Sequence, residues 1–122
     1  MSTGRSAYVS AVVSNYVRLP ATPLRPSRAD RRFAGLLYDR RVPLHAVYAA
    51  FILAAARREL RAPDLPPHPA IRTLHFFEGA IDEVLETPPD YGYIHYLAAR
   101  IKPLVARKAM VLSIPPPISR TS

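Results

Sequence analysis

Fifteen of the seventeen basic side chains in this sequence are arginines, and Arg25, Arg28, Arg31 and Arg32 fall within eight residues of one another. An arginine fork offers five donors in one plane and grips a phosphate with two prongs, which a lysine ammonium does not. Ser27 stands inside the cluster with Asp30 three residues on, a capping-box pattern with Asp in place of the usual Glu or Gln. The cluster therefore lies at a helix start, where backbone N–H groups also attract anions. Arg40 and Arg41 fall at the far end of that helix, and Arg57 and Arg58 near the end of the next. Such a set fits contact with a nucleic-acid backbone with little sequence preference. Asp30 and Asp39 are interspersed, so an ordinary solvated face is the competing reading.

Other chemistry-bearing types are sparser. Glu78, Asp82, Glu83 and Glu86 crowd one segment. They read as a solvated face or as a docking surface for a basic partner, because exposed acids on a helix are ordinary. His75, Glu78 and Asp82 share helical spacing, but a metal needs a further ligand and no paired motif such as H-E-x-x-H is present. No metal or cofactor is expected. Tyr91, Tyr93 and Tyr96 in "DYGYIHYL" suit base stacking, yet the spacing of Tyr93 and Tyr96 fits a core edge better. Four glycines form no phosphate-cradling loop, the absence of cysteine excludes a thiolate nucleophile or disulfide, and no Ser/His/Asp order suggests a hydrolase. The residues argue against an enzyme.

A chain of 122 residues with 49% hydrophobic content supports one domain and one modest core. The net charge of +8 is unevenly placed. Residues 1–63 carry eleven arginines against Asp30, Asp39 and Glu59; residues 64–90 carry Arg72 against six acids; residues 91–122 carry five basic groups and no acid. That segregation suggests a polyanion-facing surface and a separate acidic one. Arg-, Ala- and Pro-rich codon usage in a high-GC gene is the bland alternative. The longest apolar run, Ala46 to Ala56, is half of the roughly 20 residues a membrane span needs. The N-terminus has no signal-peptide h-region, and the absence of cysteine suits a reducing compartment, so a cytoplasmic protein is expected.

Fourteen prolines punctuate the chain. Between them the patterning predicts a helix from Ser27 to about Arg40 with Ala29, Phe33, Leu36 and Leu37 inward. A second runs from Pro43 to about Arg61. A third runs from about Ile71 to Glu86 with Leu74, Phe77, Ile81, Val84 and Leu85 inward, and Gly79 marking close packing. A fourth runs from about Pro89 to Lys102 with Tyr93, Ile94, Leu97 and Ile101 inward; Pro103 bends or ends it, and the pattern also allows a further turn to Val111. "YVSAVVSNYVRLP" has helical spacing but strand-like β-branched content, and a lone strand would lack a partner, so a helix is the better reading. Residues 62–69 read as an extended connector.

"YDRRVPLHAV" has helix-turn-helix spacing, but a recognition helix must show a polar face to the bases. The helix after this turn is apolar on every side through Ala46, Val47, Ala49, Ala50, Phe51, Ile52 and Leu53, with only His45 and Tyr48 able to reach out. A buried hairpin is the better reading. The expected fold is all-α, a compact bundle of four to five helices around a buried Ala-rich central helix (44–61). It forms a single domain over residues 1–112, with residues 1–26 partly extended and a disordered Pro-rich tail over 113–122.

The pair of segments "SRADRRFAGLLYDRRVPLHAVYAAFILAAARR" and "IRTLHFFEGAIDEVLE" resembles small helical proteins of bacterial mobile elements. It is similar to the helical C-terminal domain of phage and plasmid replication-initiation proteins, and more distantly to DnaD-like primosome domains. The resemblance covers roughly residues 16–100 and rests mostly on helix patterning. It implies a role in replication or transposition through DNA, a helicase loader or a recombinase. Unlike the initiators, this sequence carries no separate winged-helix domain, which points to an accessory role. The leading expectation is a non-enzymatic DNA-binding accessory working through Arg25, Arg28, Arg31, Arg32, Arg40, Arg41, Arg57 and Arg58. The alternative is a protein-interaction scaffold, homodimeric or docking a partner through Glu78, Asp82, Glu83 and Glu86.

Overall fold

The computed structural model describes residues 4–61 and 69–113, with side chains as far as residue 110. Five α-helices and one 3₁₀ turn make an all-helical bundle, with no strand among the described residues. They are α1 (Gly4–Arg18), α2 (Arg28–Asp39), α3 (Leu44–Glu59), the 3₁₀ turn (Leu74–Phe77), α4 (Glu78–Glu86) and α5 (Tyr91–Ser113). The expected tail and most of the connector lie outside the described residues.

The ambiguous N-terminal segment is the helix α1. Its β-branched residues are poor helix formers, but Tyr8, Val12, Val13 and Tyr16 are all buried. Spacings of three to five place these four on one face, and that burial outweighs the small propensity cost. The Tyr8 hydroxyl donates to the Val42 carbonyl at 2.7 Å, and Tyr8 meets Tyr38 edge-on. The start of α1 therefore lies at the end of α2, and the two helices run antiparallel.

α2 begins with the capping box its sequence announces. The Asp30 N–H donates to the Ser27 hydroxyl and the Ser27 N–H donates to the Asp30 carboxylate. The inner face differs from the expected one. Leu36 and Ala29 are exposed, while Asp30, Phe33, Ala34, Gly35 and Leu37 face inward. Asp30 turns in because its second carboxylate oxygen accepts the buried Leu74 N–H at 2.9 Å. One carboxylate thus caps α2 and holds the 3₁₀ turn.

The turn from α2 to α3 is a Schellman motif. The Val42 N–H donates to the Leu37 carbonyl and the Arg41 N–H to the Tyr38 carbonyl, while Leu37 and Val42 are both buried. Arg41 takes the left-handed position, φ 62°, where glycine is the usual occupant. α3 then passes through the middle of the bundle. Ala46, Val47, Ala49, Ala50, Phe51, Leu53, Ala55 and Ala56 are all buried, and the alanines let α1, α4 and α5 approach. Phe77 joins the layers, meeting Phe51 at 4.9 Å and Tyr16 at 6.0 Å, both edge-on. Such ring pairs add about 0.5–1.5 kcal/mol each beyond their burial.

The third predicted helix is shorter than its pattern. Ile71 to Thr73 are not helical, and the 3₁₀ turn begins only at Leu74. The Ile71 N–H donates to the Ala21 carbonyl at 2.8 Å. That bond and the one from Leu74 to Asp30 clip this segment to the α1–α2 loop and to the start of α2, and compete with helix. Nothing lies within 4 Å of a Cβ built on Gly79, so Gly79 marks no close packing. Leu85 is exposed on α4. α5 runs through Pro103 to Ser113, the longer of the two extents the sequence allows. Near its far end Lys108 donates to the Leu19 and Thr22 carbonyls and to the Thr22 hydroxyl. That ammonium caps the end of α1, where cations suit the helix dipole.

Candidate nucleic-acid interface

Burial of α3 removes the recognition-helix reading. Apart from the exposed His45 near its start and Arg57 near its end, its side chains are buried or half-buried. The His45 ring meets Tyr91 edge-on.

The expected arginines divide into two groups. Arg28, Arg31 and Arg32 are exposed on α2 and make no ion pair with any described residue. They line an open cleft of about 550 Å³ with Arg5, Ser6, Val9 and Ser10 of α1. Positions 28, 31 and 32 share one helical face, and the antiparallel α1 supplies the opposite wall. Four guanidinium groups and two hydroxyls therefore border one concavity, with no acid in its lining. Arg25 is exposed in the preceding loop and Arg41 at the opposite end of α2.

Arg5 is the member that sequence spacing did not reveal. It stands 23 residues before Arg28, so only the hairpin of α1 and α2 brings it near. Its guanidinium donates to both Asp39 oxygens at 3.1 Å and lies against Gly35. A Cβ at Gly35 would stand 2.6 Å from Arg5 Nη2. Hydrogen bonding from Arg5 holds the Asp39 carboxyl below its usual range. Both side chains are about half exposed, so the pair is screened by salt.

Arg40, Arg57 and Arg58 are used within the fold. Arg40 pairs with Asp82 at 3.4 Å. Arg57 donates to both Glu83 oxygens, at 2.8 and 2.6 Å, and this bidentate hydrogen bond lowers the Glu83 pKa. Arg58 has a side chain only 9% exposed. It donates to the Pro69 carbonyl at 2.6 Å and lies over Phe76. The acidic helix is therefore partly neutralised from inside the chain: Asp82 and Glu83 are taken, and Glu78 and Glu86 remain exposed.

The other sequence candidates also find places. His75 packs its ring on Phe33, centroids 4.3 Å apart, and Asp82 turns to Arg40, so the two do not converge with Glu78. Among the described residues no three His, Asp or Glu side chains are grouped to hold a metal. No described helix is long and apolar enough to cross a membrane. Tyr93, expected inward, is 51% exposed, and Tyr96 is 53% exposed. No protein-family model, no curated protein and no solved structure matches this chain.

Proposed function

We propose that this protein is a non-enzymatic nucleic-acid-binding accessory that grips the phosphate backbone in the cleft between α1 and α2. The observation that carries the reading is that Arg28, Arg31 and Arg32, which pair with no acid among the described residues, share one cleft with Arg5. Guanidinium groups without an acid partner are neutralised by mobile counterions. A polyanion displaces those counterions, and their release drives binding. A net charge of +8 adds long-range attraction at low salt. The likeness to replication-initiation domains suggests replication or transposition of a mobile element as the setting.

The cleft offers no base-reading geometry, so the binding is indifferent to sequence. Fluorescence anisotropy with labelled DNA at several salt concentrations tests this reading. Affinity should fall steeply with salt, and replacing Arg28, Arg31 and Arg32 together by glutamate should abolish measurable binding while the far-UV spectrum stays helical. A folded triple variant that binds like the wild type removes the cleft as the site.

A further inference from the structure

One exposed surface is left unexplained by the arginine cleft. Along α5, Tyr93, Tyr96, Arg100 and Arg107 are all exposed. At 100° per residue they fall within a sector of about 60°, and they span about 21 Å of the helix axis. The stripe runs beside the buried seam of Ile94, Leu97 and Ile101. The Tyr93 and Tyr96 rings are stacked, 23° from parallel with centroids 6.4 Å apart. The Arg100 guanidinium lies 5.7 Å from the Tyr96 ring centre and donates to its hydroxyl at 2.8 Å. Arg107 makes no ion pair with any described residue, and no acid occurs from Tyr91 to the end of the sequence.

Two large rings at half exposure keep apolar faces in water, which a core-edge role would have covered. The flat faces suit other flat faces, and the basic groups that continue the stripe suit a phosphate chain. Bases of a duplex are already stacked and paired, and cannot lie on these rings. Unpaired bases can, whatever their identity, because every base has a π-face. We propose that the α5 stripe is a stacking platform for single-stranded nucleic acid, with Tyr93 and Tyr96 taking bases and Arg100 and Arg107 taking the phosphates that follow.

This proposal rests on the phosphate-binding reading above and makes it specific. The cleft supplies affinity for any polyanion, and the platform adds a preference for unpaired strands. Charge complementarity favours this occupant over a peptide, because a peptide would bring no regular row of anions to Arg100 and Arg107.

The test compares three labelled 20-mers at two salt concentrations: oligo(dT), an abasic strand with the same phosphates, and a duplex. Wild-type protein should bind oligo(dT) roughly tenfold or more above the abasic strand. The Tyr93→Ala/Tyr96→Ala double variant should erase that gap, leaving duplex affinity and salt dependence unchanged. The Tyr93→Phe/Tyr96→Phe variant keeps the rings and should keep the gap. The sequence has no tryptophan, so quenching of tyrosine fluorescence by oligo(dT) and not by the abasic strand gives a second readout. If oligo(dT) and the abasic strand bind alike while the duplex also binds, the platform is wrong and the cleft stands. If none of the three binds at low salt, both proposals fall.

Discussion

Two arginine-rich edges of this molecule use the same side chain in opposite ways. On the edge facing α4, Arg40 at the end of α2 and Arg57 on α3 meet Asp82 and Glu83 at hydrogen-bond distance. On the α1–α2 edge, Arg28, Arg31 and Arg32 meet no acid among the described residues. The acid nearest to them in sequence, Asp30, is turned into the core by the Ser27 and Leu74 N–H groups. A basic cluster becomes a candidate anion site when the fold removes its acids, and an arginine count does not reveal that.

Removing Asp30 breaks this difference most severely. Its carboxylate is 1% exposed and accepts two backbone N–H groups. Asp30→Ala leaves the Ser27 hydroxyl on the residue-30 N–H but deletes the other half of the capping box, freeing the Ser27 N–H at a cost of about 0.5–1.5 kcal/mol. It also strands the buried Leu74 N–H, which costs about 1–3 kcal/mol more. A loss of about 2–4 kcal/mol in urea unfolding is expected. A loss below 1 kcal/mol would mean that water or another group replaces the carboxylate, and that the cleft does not depend on it.

Charge removal sharpens the same difference without disturbing the core. Arg28→Gln, Arg31→Gln and Arg32→Gln together should weaken DNA binding on the order of 100-fold at moderate salt, with a shallower salt dependence. Arg40→Gln with Arg57→Gln removes comparable charge from the paired edge. Because Asp82 and Glu83 are then left unneutralised, the net field changes, but the contacts in the cleft do not. A change of less than about fivefold is expected. Equal losses from the two sets would show that only net charge matters.

The order of these effects also shows how much could be read beforehand. The Ser27/Asp30 box, the proline punctuation and the apolar run of α3 are local signals, and each placed its helix. Local pattern also named Arg28, Arg31 and Arg32. It misassigned Leu36, Leu85 and Tyr93, because an apolar or aromatic residue at the margin of a helical face is buried only when a neighbouring helix arrives there. Arg5 in the cleft, Arg40 with Asp82 and Arg57 with Glu83 join residues 23 to 42 positions apart, and no spacing rule reaches so far. The non-helical stretch from Ile71 to Thr73 belongs to the same class, since its bonding partners Ala21 and Asp30 sit on the α1–α2 loop and at the start of α2.

A smaller contrast lies within α1, between its two buried phenols. The Tyr8 hydroxyl donates to Val42, whereas the Tyr16 hydroxyl has no partner among the described residues. Tyr8→Phe should cost about 1–2 kcal/mol by orphaning a buried carbonyl. Tyr16→Phe should be neutral or stabilising by up to about 1 kcal/mol, because it removes an unsatisfied polar group. Burial pushes the Tyr8 phenol up to about 12, and burial with the Asp30 charge pushes Tyr16 higher still. An unfolded tyrosine ionises near pH 10. The folded protons are held longer, so stability is intact below about pH 10 and falls progressively as pH rises through the folded values. Denaturation midpoints between pH 9 and 12 should show this fall, shallower in each phenylalanine variant.

The smallest effect concerns Arg41, which is exposed and makes no ion pair with a described residue but stands at the opposite end of α2 from Arg28. Its φ of 62° closes the Schellman turn in a conformation that costs a non-glycine residue about 1 kcal/mol. Arg41→Gly relieves that cost and removes one positive charge outside the cleft. Thermal unfolding should shift upward by a few degrees, as expected for about 1 kcal/mol in a domain of this size. DNA affinity should fall by less than about threefold, the effect of net charge alone. A loss as large as that of a single cleft arginine would mean that the binding surface extends along the whole of α2. The distinguishing feature of Arg28, Arg31 and Arg32 would then be freedom from acids and not membership of the concavity.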